Sequence, residues 1–143
     1  MNAVAQPPTG RPKLVWIVFL FYIFSVIYTA VSFFLVFSGS ISVTPEQAAY
    51  FRSLSVFDWS MTGLTATLNL AGAISIFLLR KSAFPLFACS LGLSILQTLV
   101  HAYATNFIAA LGGPGALGVL IAFAISIAVC IYAWRLKTRG ILV

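Results

Sequence analysis

Charge is what this chain has least of: only 7% of its 143 residues are Asp, Glu, Lys or Arg, where a soluble domain carries about 25%. Just two residues are acidic, and there is one histidine and two cysteines. Each scarcity excludes a chemistry. A membrane haem held by paired axial histidines needs more than one. Disulfide chemistry needs a C-x-x-C or an external cysteine pair, whereas Cys89 and Cys130 fall in the halves of their segments nearest the basic flanks and read as free thiols packing as small apolar residues. No carboxylate sits in the interior of an apolar run, which excludes a proton-coupled carrier of the usual kind. With no metal-ligating cluster and no phosphate loop, neither a metal nor a cofactor is expected.

What remains is hydrocarbon. Hydrophobic residues make up 62% of the chain and the mean hydropathy is +1.09. Four long apolar segments stand out, at about 14–37, 57–79, 83–106 and 115–134. Each supplies the roughly 20 residues that a helix needs to cross a hydrocarbon layer about 30 Å thick. A membrane β-barrel would instead show alternating segments of about 10 residues, and that alternation is missing. The first segment runs through "FFLVF", too far for a signal peptide's apolar region. The expectation is therefore an all-α, integral membrane four-helix bundle forming a single domain over 1–143.

The basic residues are distributed unevenly. Arg11 and Lys13 precede the first segment, Arg80 and Lys81 join the second to the third, and Arg135, Lys137 and Arg139 follow the fourth, leaving Arg52 with Glu46 and Asp58 on the other side. By the positive-inside rule both termini are cytoplasmic, as in a multi-pass protein of the bacterial inner membrane. The net charge of +6 then belongs to topology and to the bilayer surface. Nucleic acid is not an expected partner, because no basic patch interleaved with aromatics lies outside the segments.

The one long connection contains Thr44, Pro45, Glu46 and Gln47, a helix-start signature with Thr44 as N-cap, Pro45 at the first helical position and Gln47 as the capping-box partner. It predicts a short helix over about 45–53 lying in the outer interface, with Tyr50, Phe51 and Leu54 facing down and Glu46, Gln47 and Arg52 more exposed. Between the third and fourth segments, Gly112, Gly113, Pro114 and Gly115 predict a turn.

Polar residues inside the segments form stripes. Asp58, Thr62, Thr65, Asn69 and Gly72 recur at intervals of four and three, as do Ser90, Ser94, Gln97 and His101, the spacing of left-handed helix packing. Antiparallel pairing at one depth gives Thr62 with His101, Thr65 with Gln97, Asn69 with Ser94 and Gly72 with Ser90, pairs whose residue numbers add to 162 or 163. The seam reads either as interhelical hydrogen bonding or as the wall of a path for a polar solute, with Asp58 and His101 at its mouth. Ser25, Thr29 and Ser32 on the first segment, and Gly118, Ala122, Ser126 and Cys130 on the fourth, read as packing faces.

The stretches "RPKLVWIVFLFYIFS", "FDWS", "LLRK", "AALGG" and "YAWRLKTRGILV" resemble those of a group of small four-helix membrane proteins of bacteria. That group has no firm function, and some members are loosely labelled sugar transporters, so no site residue is carried over. The small multidrug-resistance exporters differ, since their essential first-helix glutamate has no counterpart here. The leading functional expectation is a non-catalytic bundle or accessory subunit of a membrane complex. A small-solute transporter or channel element working as a homo-oligomer is the alternative. An enzyme using Asp58 and His101 comes third, because no nucleophile or oxyanion site accompanies them.

Overall fold

A computed structural model describes residues 12–142 except 43, 105 and 106, and at 46, 104, 107–111 and 114 the backbone alone. Every regular element among the described residues is a helix: α1 (Lys13–Phe37), α2 (Pro45–Ser53), α3 (Val56–Phe77), α4 (Ala83–Ala104) and α5 (Phe107–Thr138). Four of them contain spans long and apolar enough to cross a membrane, Lys13–Phe37, Val56–Phe77, Ala83–Tyr103 and Gly115–Thr138. Arg11, Asn106 and the side chain of Glu46, which entered the sequence reading, lie outside the described residues.

Local chemistry sets the helix ends. Thr44 and Gln47 form the expected capping box, with the Gln47 N–H donating to Thr44 Oγ1 at 3.3 Å and the Thr44 N–H to Gln47 Oε1 at 3.1 Å. A second box starts α3, where Ser55 and Asp58 reciprocate in the same way. At the other end of α3 the Arg80 N–H reaches the Ser75 carbonyl at 2.8 Å and the Leu79 N–H the Ile76 carbonyl at 3.1 Å, a Schellman motif. Leu79 takes the left-handed position at φ 56°, where glycine is usual. The helix therefore stops at Phe77, two residues short of the expected Leu79.

The link between α4 and α5 also departs from expectation. Residues 107–111 are helical rather than turn, and within α5 the backbone leaves the helical region at Gly112, with φ 64° and ψ 178°. A left-handed φ there is open to glycine without steric cost.

α3 packs against both α1 and α4, and α4 packs against α5. The buried core lies toward the end that carries Lys13, Arg80, Lys81 and Arg135. It joins Val15 and Val18 of α1, Ala73 and Ile76 of α3, Ala83 and Phe87 of α4, and Val129, Ala133 and Leu136 of α5. Toward the opposite end, aromatic rings do the joining. Trp59 of α3 meets Phe33 and Phe37 of α1 at centroid distances of 5.3 and 5.6 Å, and Phe33 also meets Phe51 of α2 at 6.4 Å. In the most apolar window of each span only 11% to 17% of residues are buried. Few residues of each span are fully buried, and large apolar side chains such as Phe24, Leu96 and Ile121 are exposed, as in a chain whose solvent is lipid.

Candidate functional site: the polar seam and the adjoining cavity

The two polar stripes face one another, as their spacing implied, but one helical turn away from the expected register. Gln97 of α4 donates from Nε2 to Thr62 Oγ1 at 3.0 Å, and Ser90 donates to Asn69 Oδ1 at 2.8 Å. His101 Nε2 stands 3.6 Å from Asp58 Oδ1. A Cβ on Gly72 would come within 3.0 Å of the Phe87 ring. The residue numbers of all four pairs add to 159, so the expected pairs Thr62 with His101, Thr65 with Gln97, Asn69 with Ser94 and Gly72 with Ser90 are not formed. The early stop of α3 at the Leu79 turn is the physical reason, because it moves the hairpin's pivot toward α3 and slides α4 along it. Ser94 is half-buried and makes no hydrogen bond to a described residue.

Asp58 sits at the crossing of two demands. Its Oδ2 accepts from the Ser55 N–H at 2.8 Å and the Ser55 hydroxyl at 2.7 Å, while Oδ1 faces His101. The Asp58 backbone carbonyl accepts from Thr62 Oγ1 at 2.9 Å, with Gln97 Nε2 at 3.5 Å. His101 is 6% exposed and carries the Tyr50 ring edge-on at 5.9 Å, which docks α2 over this end of the seam. Burial first, and the Asp58 carboxylate second, push the Tyr50 phenol up, so it stays neutral beside that charge. Gln47, expected to be exposed, is half-buried, whereas Tyr50, Phe51 and Leu54 are partly covered and Arg52 is exposed. Ser55 was not singled out from the sequence, and Tyr50 was expected to face down from the short helix but not to meet His101. Ser55 was legible, since it repeats the capping spacing of Thr44 and Gln47 ahead of Asp58.

Beside the seam lies an open cavity of about 450 Å³ between α1 and α3, which Gln97 of α4 also lines. Ser25, Thr29 and Phe33 line it from α1. Trp59, Gly63, Thr65 and Asn69 line it from α3. No charged side chain does so. Thr65 Oγ1 is buried with no partner, while its carbonyl lies 3.5 Å from Ser90 Oγ. The cavity gives Ser25 and Thr29 a setting that their reading as a packing face did not include. Among the described residues no three His, Cys, Asp or Glu side chains come together as metal ligands, and Cys89 and Cys130 are free thiols. No protein family, curated protein or solved structure matches the chain.

Proposed function

We propose that the protein is a non-catalytic four-helix bundle of the bacterial cytoplasmic membrane that serves as an accessory subunit of a larger membrane complex. On this reading both termini are cytoplasmic and α2 lies in the outer interface. The observation that supports it is the mutual engagement of the groups best suited to chemistry. Asp58 caps α3 and faces His101, His101 lies under Tyr50, and Gln97 and Asn69 bind Thr62 and Ser90 across the helix contact. Such an arrangement joins helices and offers a substrate neither a nucleophile nor an accessible acid/base pair. Large apolar side chains such as Phe24, Tyr28 and Phe34 face outward, which suits lipid or neighbouring helices. Solubilisation in mild detergent, with affinity purification and quantitative mass spectrometry, tests this. A stoichiometric heteromeric partner is the expected result, and a chain recovered without one from both detergent and native nanodiscs sinks the reading.

A second reading, a small-solute transporter or channel element acting as a homo-oligomer, is favoured by the cavity alone. It requires a homo-oligomer in the same experiment and solute flux after reconstitution in liposomes.

A further inference from the structure

Hydroxyls in apolar helices ordinarily donate to the carbonyl one turn back. Ser60, Thr62, Thr67 and Ser126 do so here at 2.8 to 2.9 Å. Ser25 and Thr29, one turn apart on α1, do not, as Thr65 and Ser94 do not, and neither Ser25 nor Thr29 makes a hydrogen bond to a described residue. Both line the cavity. Across it stand Asn69 and Gln97. The carbonyl oxygen of Asn69 is engaged by Ser90 and the amide nitrogen of Gln97 by Thr62, so the Asn69 nitrogen and the Gln97 oxygen have no partner among the described residues. Donors and acceptors are thus left over on both walls of one space, while Val26, Ala30, Phe33, Trp59 and Ala66 make the rest of its lining apolar.

We propose that this cavity binds an uncharged amphiphile: a small hydrocarbon or aromatic body with one hydroxyl or amide that draws its hydrogen bonds from among Ser25, Thr29, Asn69 and Gln97. Its volume of about 450 Å³ falls within the range of small-molecule sites, about 300–1,000 Å³. A charged ligand would be desolvated here without a counter-charge. A polyol would press hydroxyls against the apolar remainder of the lining at Val26, Ala30, Phe33 and Ala66, and a ketone, which only accepts, would leave the Gln97 oxygen unpaired. A hydroxyl or an amide both donates and accepts, and so matches the two walls. The hydroxyl can belong to a free alcohol or to a neutral diacylglycerol. The proposal goes beyond the accessory role and needs no partner subunit, so failure of the co-purification experiment leaves it untouched.

The test is photolabelling of the purified full chain in phosphatidylcholine nanodiscs with a diazirine-bearing long-chain alcohol, with adducts mapped by mass spectrometry. Saturable adducts are expected within 22–33 and 59–69, reduced at least fivefold by excess 1-decanol but not by decanoate, decylammonium or glycerol. Competition by dioleoylglycerol at lower concentration than decanol assigns the site to a lipid, and the reverse order to a free alcohol. Gly63 borders the cavity and a Cβ there meets nothing within 4 Å, so Gly63→Leu should fill the space and remove the labelling with the melting temperature unchanged. The double variant Ser25→Ala with Thr29→Val loses no internal hydrogen bond. It should weaken labelling at least threefold at unchanged melting temperature, and it carries the test if Gly63→Leu does not fold. Unsaturable labelling spread over the outward faces overturns the proposal, as does full labelling of the double variant or equal competition by the charged analogues.

Discussion

At the residue scale, the α3–α4 contact rests on two kinds of position. Ser90, 2% exposed, donates to Asn69 Oδ1 across the helix contact at 2.8 Å. A double-mutant cycle of Asn69→Ala and Ser90→Ala, read by unfolding in mixed micelles, should give a coupling of about 0.6 kcal/mol and at most about 1.7 kcal/mol. Gly72 works by absence instead, letting the Phe87 ring lie against the α3 backbone with Tyr22 at 5.1 Å on the other side. Gly72→Leu overpacks that contact and should cost about 2 kcal/mol in the same assay. Asp58 and His101 are unequal partners. His101→Phe keeps the ring against Tyr50 and gives up the contact with the Asp58 carboxylate, whereas Asp58→Ala also removes the α3 capping box. Asp58→Ala should therefore be the more damaging by about 1 kcal/mol. Equal losses would show that the cap contributes nothing.

At the scale of elements, helix ends decide the geometry. α1, α3 and the last helix all finish in Schellman turns, the first and third through glycines at positions 39 and 140 and the second through Leu79. A leucine in the left-handed region is strained, and it stays because its side chain packs partly buried against the core. Leu79→Val keeps an apolar side chain but puts a β-branched residue where it fits worst. A loss of about 1 kcal/mol is expected from thermal unfolding in detergent. α4 starts with Pro85 inside its first turn, where a missing N–H has no carbonyl to leave unpaired. That proline and the Leu79 turn together make the hairpin abrupt. Ser82 Oγ bonds Ser75 Oγ across it at 3.3 Å.

At the scale of the molecule, the two ends are built differently. Side chains from α1, α3, α4 and α5 share one apolar core toward the basic end. The other end is joined by aromatic rings and by the Asp58, His101 and Tyr50 contacts, and the cavity opens between α1 and α3 on that side. On the topology proposed above, a cysteine placed at Ser42 in a background lacking Cys89 and Cys130 should react with an impermeant maleimide from outside. A reporter fused to the C-terminus should be active in the cytoplasm. External activity of that reporter would reverse the orientation.

The sequence by itself determined the helices that can span a membrane, because hydropathy and length set that property residue by residue. It also determined the start of α2, since Thr44 and Gln47 lie within one turn of each other, and it showed that the polar faces of α3 and α4 belong together through their shared spacing. Only the tertiary structure decided which rung of one stripe meets which rung of the other. Two stripes of the same period fit equally well when slid by a turn, and the choice fell to the Leu79 turn and to Phe87 settling over Gly72. The cavity was hidden for a related reason. Ser25 and Thr29 carry no mark in the sequence that tells a packing face from a lining one, and only the separation between α1 and α3 at that depth leaves their hydroxyls facing open space.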